Sequence, residues 1–157
     1  MHPMTSHAAR GLKGRIRVTG DKSISHRALM LASQVLGTTT ITGLLEGEDV
    51  LRTAEALRNC GVDIQKHEDG SWVVKGVGIG GLHEPSDILD MGNAGTGVRL
   101  MMGLLTPYPF TSHFTGDESL RSRPMQRVIT PLEQMGGEFL TKEGGRLPLA
   151  LKGTANP

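Results

Sequence analysis

Apolar positions in this chain fall in short blocks, and glycine closes most of them. The stretch Ala28 to Leu36 has the length of a helix, with Gly37 placed as its C-cap. Thr38 to Leu45 is rich in β-branched residues and predicts a strand. Asp49 can cap a second helix in which Val50, Ala54 and Leu57 share one face, and Gly61 ends it. Val62, Ile64 and Lys66 then alternate, Glu68 to Gly70 makes a turn, and Ser71 to Lys75 returns as the second strand of a hairpin. With Arg15 to Thr19 as the entering strand, the pattern is β-α-β-α-β-β.

The pattern is then written a second time. Gly20 and Arg27 stand opposite Gly92 and Arg99, each 72 positions on. Ile41-Thr-Gly43 stands opposite Phe114-Thr-Gly116, Ala56 to Gly61 opposite Pro131 to Gly136, and Val74-Lys-Gly76 opposite Leu151-Lys-Gly153. The offset drifts to 73, 75 and 77, as small loop insertions produce. Ordered matches of this kind mark an internal duplication. The second copy predicts a helix over Thr96–Leu105, a strand over Thr111–Thr115, a helix over Pro124–Met135 and a hairpin over Glu143 to Gly145. Pro124 suits a first turn, whereas Pro131 predicts a kink or an early end.

Composition narrows what such a repeat can do. A chain of 157 residues can hold one domain with a core, or two small units. Seventeen basic against sixteen acidic residues argue against a nucleic-acid coat or a membrane-surface protein, so any bound anion belongs in a discrete pocket. No apolar run approaches the roughly 20 residues of a membrane span. The first residues lack the apolar stretch of a secretory signal, and the single Cys60 excludes an intrachain disulfide. A cytoplasmic location is expected. Aromatics are scarce, so Leu, Val, Ile, Met and Ala must build the core, with Met101 and Met102 among its fillers.

The candidate chemistry lies in the glycine-rich openings. Each copy puts small residues and a cation where a helix begins: Lys22 and Arg27 in the first, Arg99 in the second. A helix amino terminus carries free N–H groups and about half a positive charge, which suits phosphate or carboxylate. A cation there is mildly unfavourable unless an anion joins it, and the choice recurs in both copies. Arg121 and Arg123 flank Ser122 before Pro124, again at a predicted helix start, and Arg121 reads as a solvent-exposed turn residue. His26 has no second metal ligand at a useful spacing and reads as structural. Cys60 reads as a small buried residue before a terminating glycine. Glu46, Glu48 and Asp49 have the makings of a proton-transfer pair, yet helix capping explains them.

Four ordered blocks carry a resemblance. Gly20-Asp-Lys-Ser-Ile-Ser-His-Arg27, Gly43 to Asp49, Gly92-Asn-Ala-Gly-Thr-Gly-Val-Arg99 and Gly116 to Pro124 resemble those of the 5-enolpyruvylshikimate-3-phosphate (EPSP) synthase family, 3-phosphoshikimate 1-carboxyvinyltransferases, in its bacterial class II form. The resemblance runs from Leu12 onward. It implies an α/β fold of the inside-out barrel type, with two domains of three β-α-β-α-β-β units each and substrates bound where the domains close. On this reading residues 1–20 are a segment and strand that pack with an absent C-terminal domain. Residues 21–157 are then an incomplete N-terminal domain, with unit one at about 20–80 and unit two at about 90–153.

The resemblance also implies a reaction. The 5-hydroxyl of shikimate 3-phosphate attacks phosphoenolpyruvate, a tetrahedral intermediate forms, and phosphate is expelled, with no metal or organic cofactor. Lys22 should contact phosphoenolpyruvate and help carry the charge change, while Ser23 and Arg27 hold shikimate 3-phosphate. Asn93, Gly95 and Thr96 should border the phosphoenolpyruvate site, Arg123 should grip its anionic end, and Arg99 should orient the loop. The herbicide glyphosate is expected in the phosphoenolpyruvate site. Family chains are far longer, so the chain alone is expected to be inactive without its complementary C-terminal portion. The related UDP-N-acetylglucosamine enolpyruvyl transferase carries a Lys-Asn pair and a cysteine-bearing loop, whereas here Ser23 follows Lys22 and no cysteine lies near Arg123. The other readings are a non-catalytic anion-binding or assembly module and one half of a split enzyme.

Overall fold

The computed structural model describes residues 3–8 and 10–155. Helix α1 spans Lys22–Ser33, six residues earlier than the apolar block at Ala28. Asp21 starts it, its carboxylate accepting the Ile24 amide at 2.8 Å. The first turns escaped notice because Lys22, Ser23 and Arg27 face solvent while Ser25 and His26, both polar, point inward. The helix ends at Gln34, so Gly37 is not its cap but a residue of strand β1, Leu36–Ile41, at φ +110°. Helix α2, Glu48–Asn59, begins on the Gly47 backbone and not on Asp49, whose carboxylate is engaged elsewhere. Its predicted face is correct: Val50, Ala54 and Leu57 are all fully buried. Strands β2, Asp63–Lys66, and β3, Trp72–Val77, complete an antiparallel sheet of order β1-β3-β2.

The second unit adds strand β4, Leu89–Asp90, helix α3, Gly95–Leu105, and strand β5, Thr111–Thr115. A short helix α4, Glu118–Arg121, precedes helix α5, Gln126–Gln134, which starts two residues after Pro124. Pro131 does not end α5, and Ile129 and Leu132 on either side of it carry the buried face. Strands β6, Glu138–Lys142, and β7, Arg146–Lys152, give a sheet of order β4-β5-β7-β6 in which β4 runs parallel to β5. The two sheets match strand for strand, β1 with β5, β3 with β7 and β2 with β6. Among the described residues only β4 has no counterpart. The equivalent stretch, Arg15–Thr19, forms no strand, because it has no ladder to join; Ile16 and Val18 are 85% and 77% exposed. Of the segment 1–20, residues 1, 2 and 9 lie outside the described ones.

Most of the matched glycines have local causes. In unit one a Cβ on the opening glycine, Gly20, would strike the carbonyl of the second, Gly43; in unit two the parts are exchanged, and a Cβ on the second glycine, Gly116, would strike the carbonyl of the opening one, Gly92. Gly61 and Gly136 follow the ends of α2 and α5 at φ +90° and +92°, a left-handed conformation that glycine adopts without strain. A Cβ on Gly76 would meet the carbonyls of Ala32 and Val35, and one on Gly153 those of Thr106 and Tyr108, where each sheet passes over the end of a helix. The helices α1, α2 and α3 pack together in the core, through Leu29, Leu57, Val98, Met101 and Met102. Met30, Met91 and Met125 are also buried, but Met4 and Met135 are exposed and fill no core. No helix among the described residues is long and apolar enough to cross a membrane.

Candidate active site

The openings of four helices meet at one end of the molecule. Lys22, the first residue of α1, forms an ion pair with Asp49 in the first turn of α2. Beside Asp49, Glu48 pairs with Arg52, and both side chains lie against Gly92 in the approach to α3. The Gly92 carbonyl in turn accepts the amide of Asp117, the residue that caps α4. Each helix thus presents its positive end here, and the cations add to that field.

In the first unit, Lys22, Ser23 and Arg27 share the exposed face of α1. Arg27 donates to the Ser23 carbonyl at 3.0 Å, which leaves most of its donors to solvent. Ser25 ties the opening down, donating to the Asp21 carbonyl and accepting the Leu45 amide at 2.9 Å. His26 is fully buried, its Nδ1 2.8 Å from the Thr53 hydroxyl, which itself donates to the Asp49 carbonyl. With the hydroxyl hydrogen so used, Nδ1 is the donor. Burial holds the His26 pKa below its usual value, with Lys22 and Arg27 adding to the effect and Asp49 opposing it. A structural role for His26 fits this geometry.

In the second unit the side chains form a tighter web. Arg123 lies between α4 and α5, and its guanidinium donates to the Asn93 Oδ1 at 2.5 Å and to Ser119 at 3.0 Å. Asn93 passes its amide hydrogen to Asp117 Oδ2 at 2.7 Å. The Asp117 carboxyl is held below its usual range, first by the Leu120 amide it caps and then by Asn93. Gly95 opens α3 between two guanidinium groups: a Cβ there would stand 2.9 Å from Arg123 and 3.1 Å from Arg99. Arg99 donates to the Gly95 carbonyl at 2.6 Å and reaches the Pro124 carbonyl at 3.4 Å. Thr96 is exposed beside them.

Three of the predicted residues therefore stand in one web, Asn93, Gly95 and Arg123. Lys22, Ser23 and Arg27 stand across the shared end, and no hydrogen bond or ion pair joins the two groups among the described residues. Arg121 is exposed in the last turn of α4. Sequence reading missed the partners: Asp49 as the counter-ion of Lys22, Thr53 beneath His26, and Asp117 behind Asn93. The Asp117–Glu118–Ser119 run before Leu120 carries an N-cap signal that would have marked α4. Cys60 is buried, and desolvation pushes its thiol up to about 12, so it is no nucleophile at neutral pH. Glu46 is engaged by Lys66 and by the Trp72 indole, away from these cations. A wide apolar hollow of about 610 Å³ on the second sheet, lined by Ile88, Phe114, Leu140 and Pro148, holds none of the predicted site residues.

A family model for EPSP synthase (3-phosphoshikimate 1-carboxyvinyltransferase) matches residues 7–156. A 3-phosphoshikimate 1-carboxyvinyltransferase of Paramagnetospirillum magneticum is 59% identical over 155 residues, covering 99% of this chain and 35% of that protein. One from Gluconobacter oxydans is 59% identical over 153 residues, covering 97% of this chain and 34% of its own length. The solved EPSP synthase of Acinetobacter baumannii superposes with a TM-score of 0.84 at 45% identity, over 89% of this chain and 32% of that one. The chain belongs to the EPSP synthase family, and it spans about a third of the length of these relatives.

Proposed function

We propose that this member of the family serves the transfer of an enolpyruvyl group from phosphoenolpyruvate to the 5-hydroxyl of shikimate 3-phosphate, with release of phosphate. The hydroxyl gives up its proton as its oxygen adds to the substituted enol carbon, and the neighbouring CH₂ takes up one to become a methyl group; loss of a proton from that methyl and cleavage of the carbon–oxygen bond to phosphate then restore the double bond. The observation that carries the reading is Arg123: a guanidinium fixed by neutral acceptors beside a bare glycine is a preformed seat for an anion. Arg123 would hold the anionic end of phosphoenolpyruvate, with Asn93, Gly95 and Thr96 as the wall. Ser23 and Arg27 would hold shikimate 3-phosphate. Lys22 would touch phosphoenolpyruvate once the substrates compete with Asp49 for its ammonium.

The domain reading follows the same line. Residues 1–20 would pack with a C-terminal domain, and the two repeats would form two units of a three-unit N-terminal domain. Glyphosate would enter the phosphoenolpyruvate site, and the setting would be cytoplasmic. These 157 residues would bind anions without turnover and need a complementary portion for catalysis, as a fragment or half of a split enzyme would. The test is a phosphate-release assay with both substrates, run on the chain alone and with the remaining two thirds of a relative supplied in trans. Turnover only in the mixture is expected. Turnover by the chain alone removes the need for a complement. A reconstituted, folded complex that binds neither substrate removes the enzymatic reading and leaves an assembly module.

A further inference from the structure

The two units begin their opening helices by different means. In unit one Asp21 caps α1 through its carboxylate. Its counterpart 72 positions on is Asn93, whose side chain caps nothing: Oδ1 accepts from Arg123, and the side-chain nitrogen donates to Asp117. Helix α3 accordingly starts on Ala94 with no side-chain cap. Asn93 is thus released from its helix to serve Arg123, and the turn that carries it needs another hold. Gly92 stands in that turn at φ +52°, a left-handed conformation that does not hold itself.

Asp90 supplies the hold. Its Oδ1 accepts the Gly92 amide at 2.9 Å, and among the described residues no other side chain bonds an amide between residues 91 and 95. Its Oδ2 faces Arg52 of α2 at 3.3 Å. The guanidinium answers the charge, so a carboxylate holds this turn without repelling an anion that arrives at the same end. Helix α2 also carries Asp49, the partner of Lys22, so one helix braces both halves of the site. In unit one the position matching Asp90 is Val18, an exposed apolar residue that can hold no amide. The carboxylate occurs in the unit whose capping residue has been diverted.

We infer that Asp90, braced by Arg52, is a positioning residue for phosphoenolpyruvate: it fixes the Gly92–Asn93 turn and so holds Asn93 against Arg123. The identity of the ligand rests on the proposed reaction. The turn does not, and it can be read without turnover.

The test compares D90A with D90N in two settings. In the 157-residue chain, NMR follows the Gly92 amide and the Asn93 side-chain amide, and the remaining amide signals report the fold. The Asp90 side chain is 51% exposed, so neither change opens the core. D90A should speed hydrogen exchange at Gly92 on the order of tenfold and shift the Asn93 signal, through the loss of one charge-assisted bond. D90N keeps an oxygen for the Gly92 amide and should stay within about threefold of the native rate. In the second setting the remaining two thirds of a relative is supplied in trans. There D90A should raise the Michaelis constant for phosphoenolpyruvate on the order of tenfold and leave that for shikimate 3-phosphate within about twofold, and D90N should recover most of the loss. Unchanged Gly92 and Asn93 signals in D90A overturn the positioning role, whatever the enzyme does. An equal rise in both constants also overturns it, as does a D90N that behaves like D90A. A native complex without turnover removes the proposed reaction, while the Gly92 and Asn93 signals still decide whether Asp90 sets the turn.

Discussion

The hydrogen bonds of Arg27 and Arg123 give these two residues different expected effects. Arg123 is held by Asn93 and Ser119 and lies in the web around Gly95, whereas Arg27 has one backbone contact on the open face of α1. In the enzyme completed to its relatives' length, Arg123→Ala should weaken phosphoenolpyruvate by roughly 1.5–3 kcal/mol, the range of a charge-assisted hydrogen bond. Arg27→Ala should weaken shikimate 3-phosphate by a similar amount and spare phosphoenolpyruvate. Calorimetric titration of each ligand checks this, and equal small effects on both would mark these arginines as ordinary surface charges. Gly95 gives the second expectation at this scale. A methyl group there meets the far ends of Arg99 and Arg123, which can move, so Gly95→Ala should fold. If glyphosate takes the phosphoenolpyruvate site as proposed, its greater length should make it less tolerant of a moved wall. The substitution should therefore raise its inhibition constant more than the Michaelis constant for phosphoenolpyruvate. Equal rises in the two constants would show that the methyl acts only by displacing Arg123.

Helix contacts explain both what the sequence revealed and what it hid. The duplication was legible because its glycines answer local needs, a left-handed turn at Gly61 and Gly136 or a close backbone pass at Gly76 and Gly153. Burial on α2 was legible for the same reason, since Val50, Ala54 and Leu57 repeat with helical spacing. The first turns of α1 were hidden by inward-facing Ser25 and His26, whose distant partners, the Leu45 amide before α2 and the Thr53 hydroxyl within it, lie 20 and 27 positions along the chain. Within the site, the cations announced themselves by standing against helix starts. Asp49 and Asp117 did not, because their roles come from neighbours on other elements. Gly97 is a case where a helix crossing is testable. It is fully inside α3, and a Cβ would stand 2.8 Å from the Thr53 hydroxyl and 3.2 Å from Met91. Gly97→Ala should therefore cost about 1–3 kcal/mol by overpacking the α2–α3 contact, despite the better helix propensity of alanine. Denaturant unfolding measures it, and a neutral or stabilising result would show that the helices can separate at no cost.

On the scale of the whole molecule, His26 ties the first helix to the second in the core shared by both units, and this makes global stability depend on pH. The unfolded side chain titrates near 6.5, while burial holds the folded one lower. Between the two values the unfolded chain binds the extra proton, so stability is level above pH 6.5 and falls as the pH drops below it. Protonation puts a charge beside Thr53 with Lys22 and Arg27 close by, and only Asp49 answers it. A second decline belongs to more acidic solution. Asp117 and Glu46 have lowered folded values, the first through the Leu120 amide and the second through Lys66, so their contributions are present above their ordinary values and vanish as the pH falls through the lowered ones. The two windows separate in His26→Asn, whose amide nitrogen can replace Nδ1 as donor to Thr53 without taking up a proton. Urea unfolding from pH 8 to pH 4.5 should show the native chain losing stability from about 6.5 downward. The variant starts lower, because asparagine fills less of the core, and stays level over that range. Parallel curves for the two proteins, or a His26 ring that titrates at its ordinary value in the folded chain, would mean that the acid sensitivity arises elsewhere.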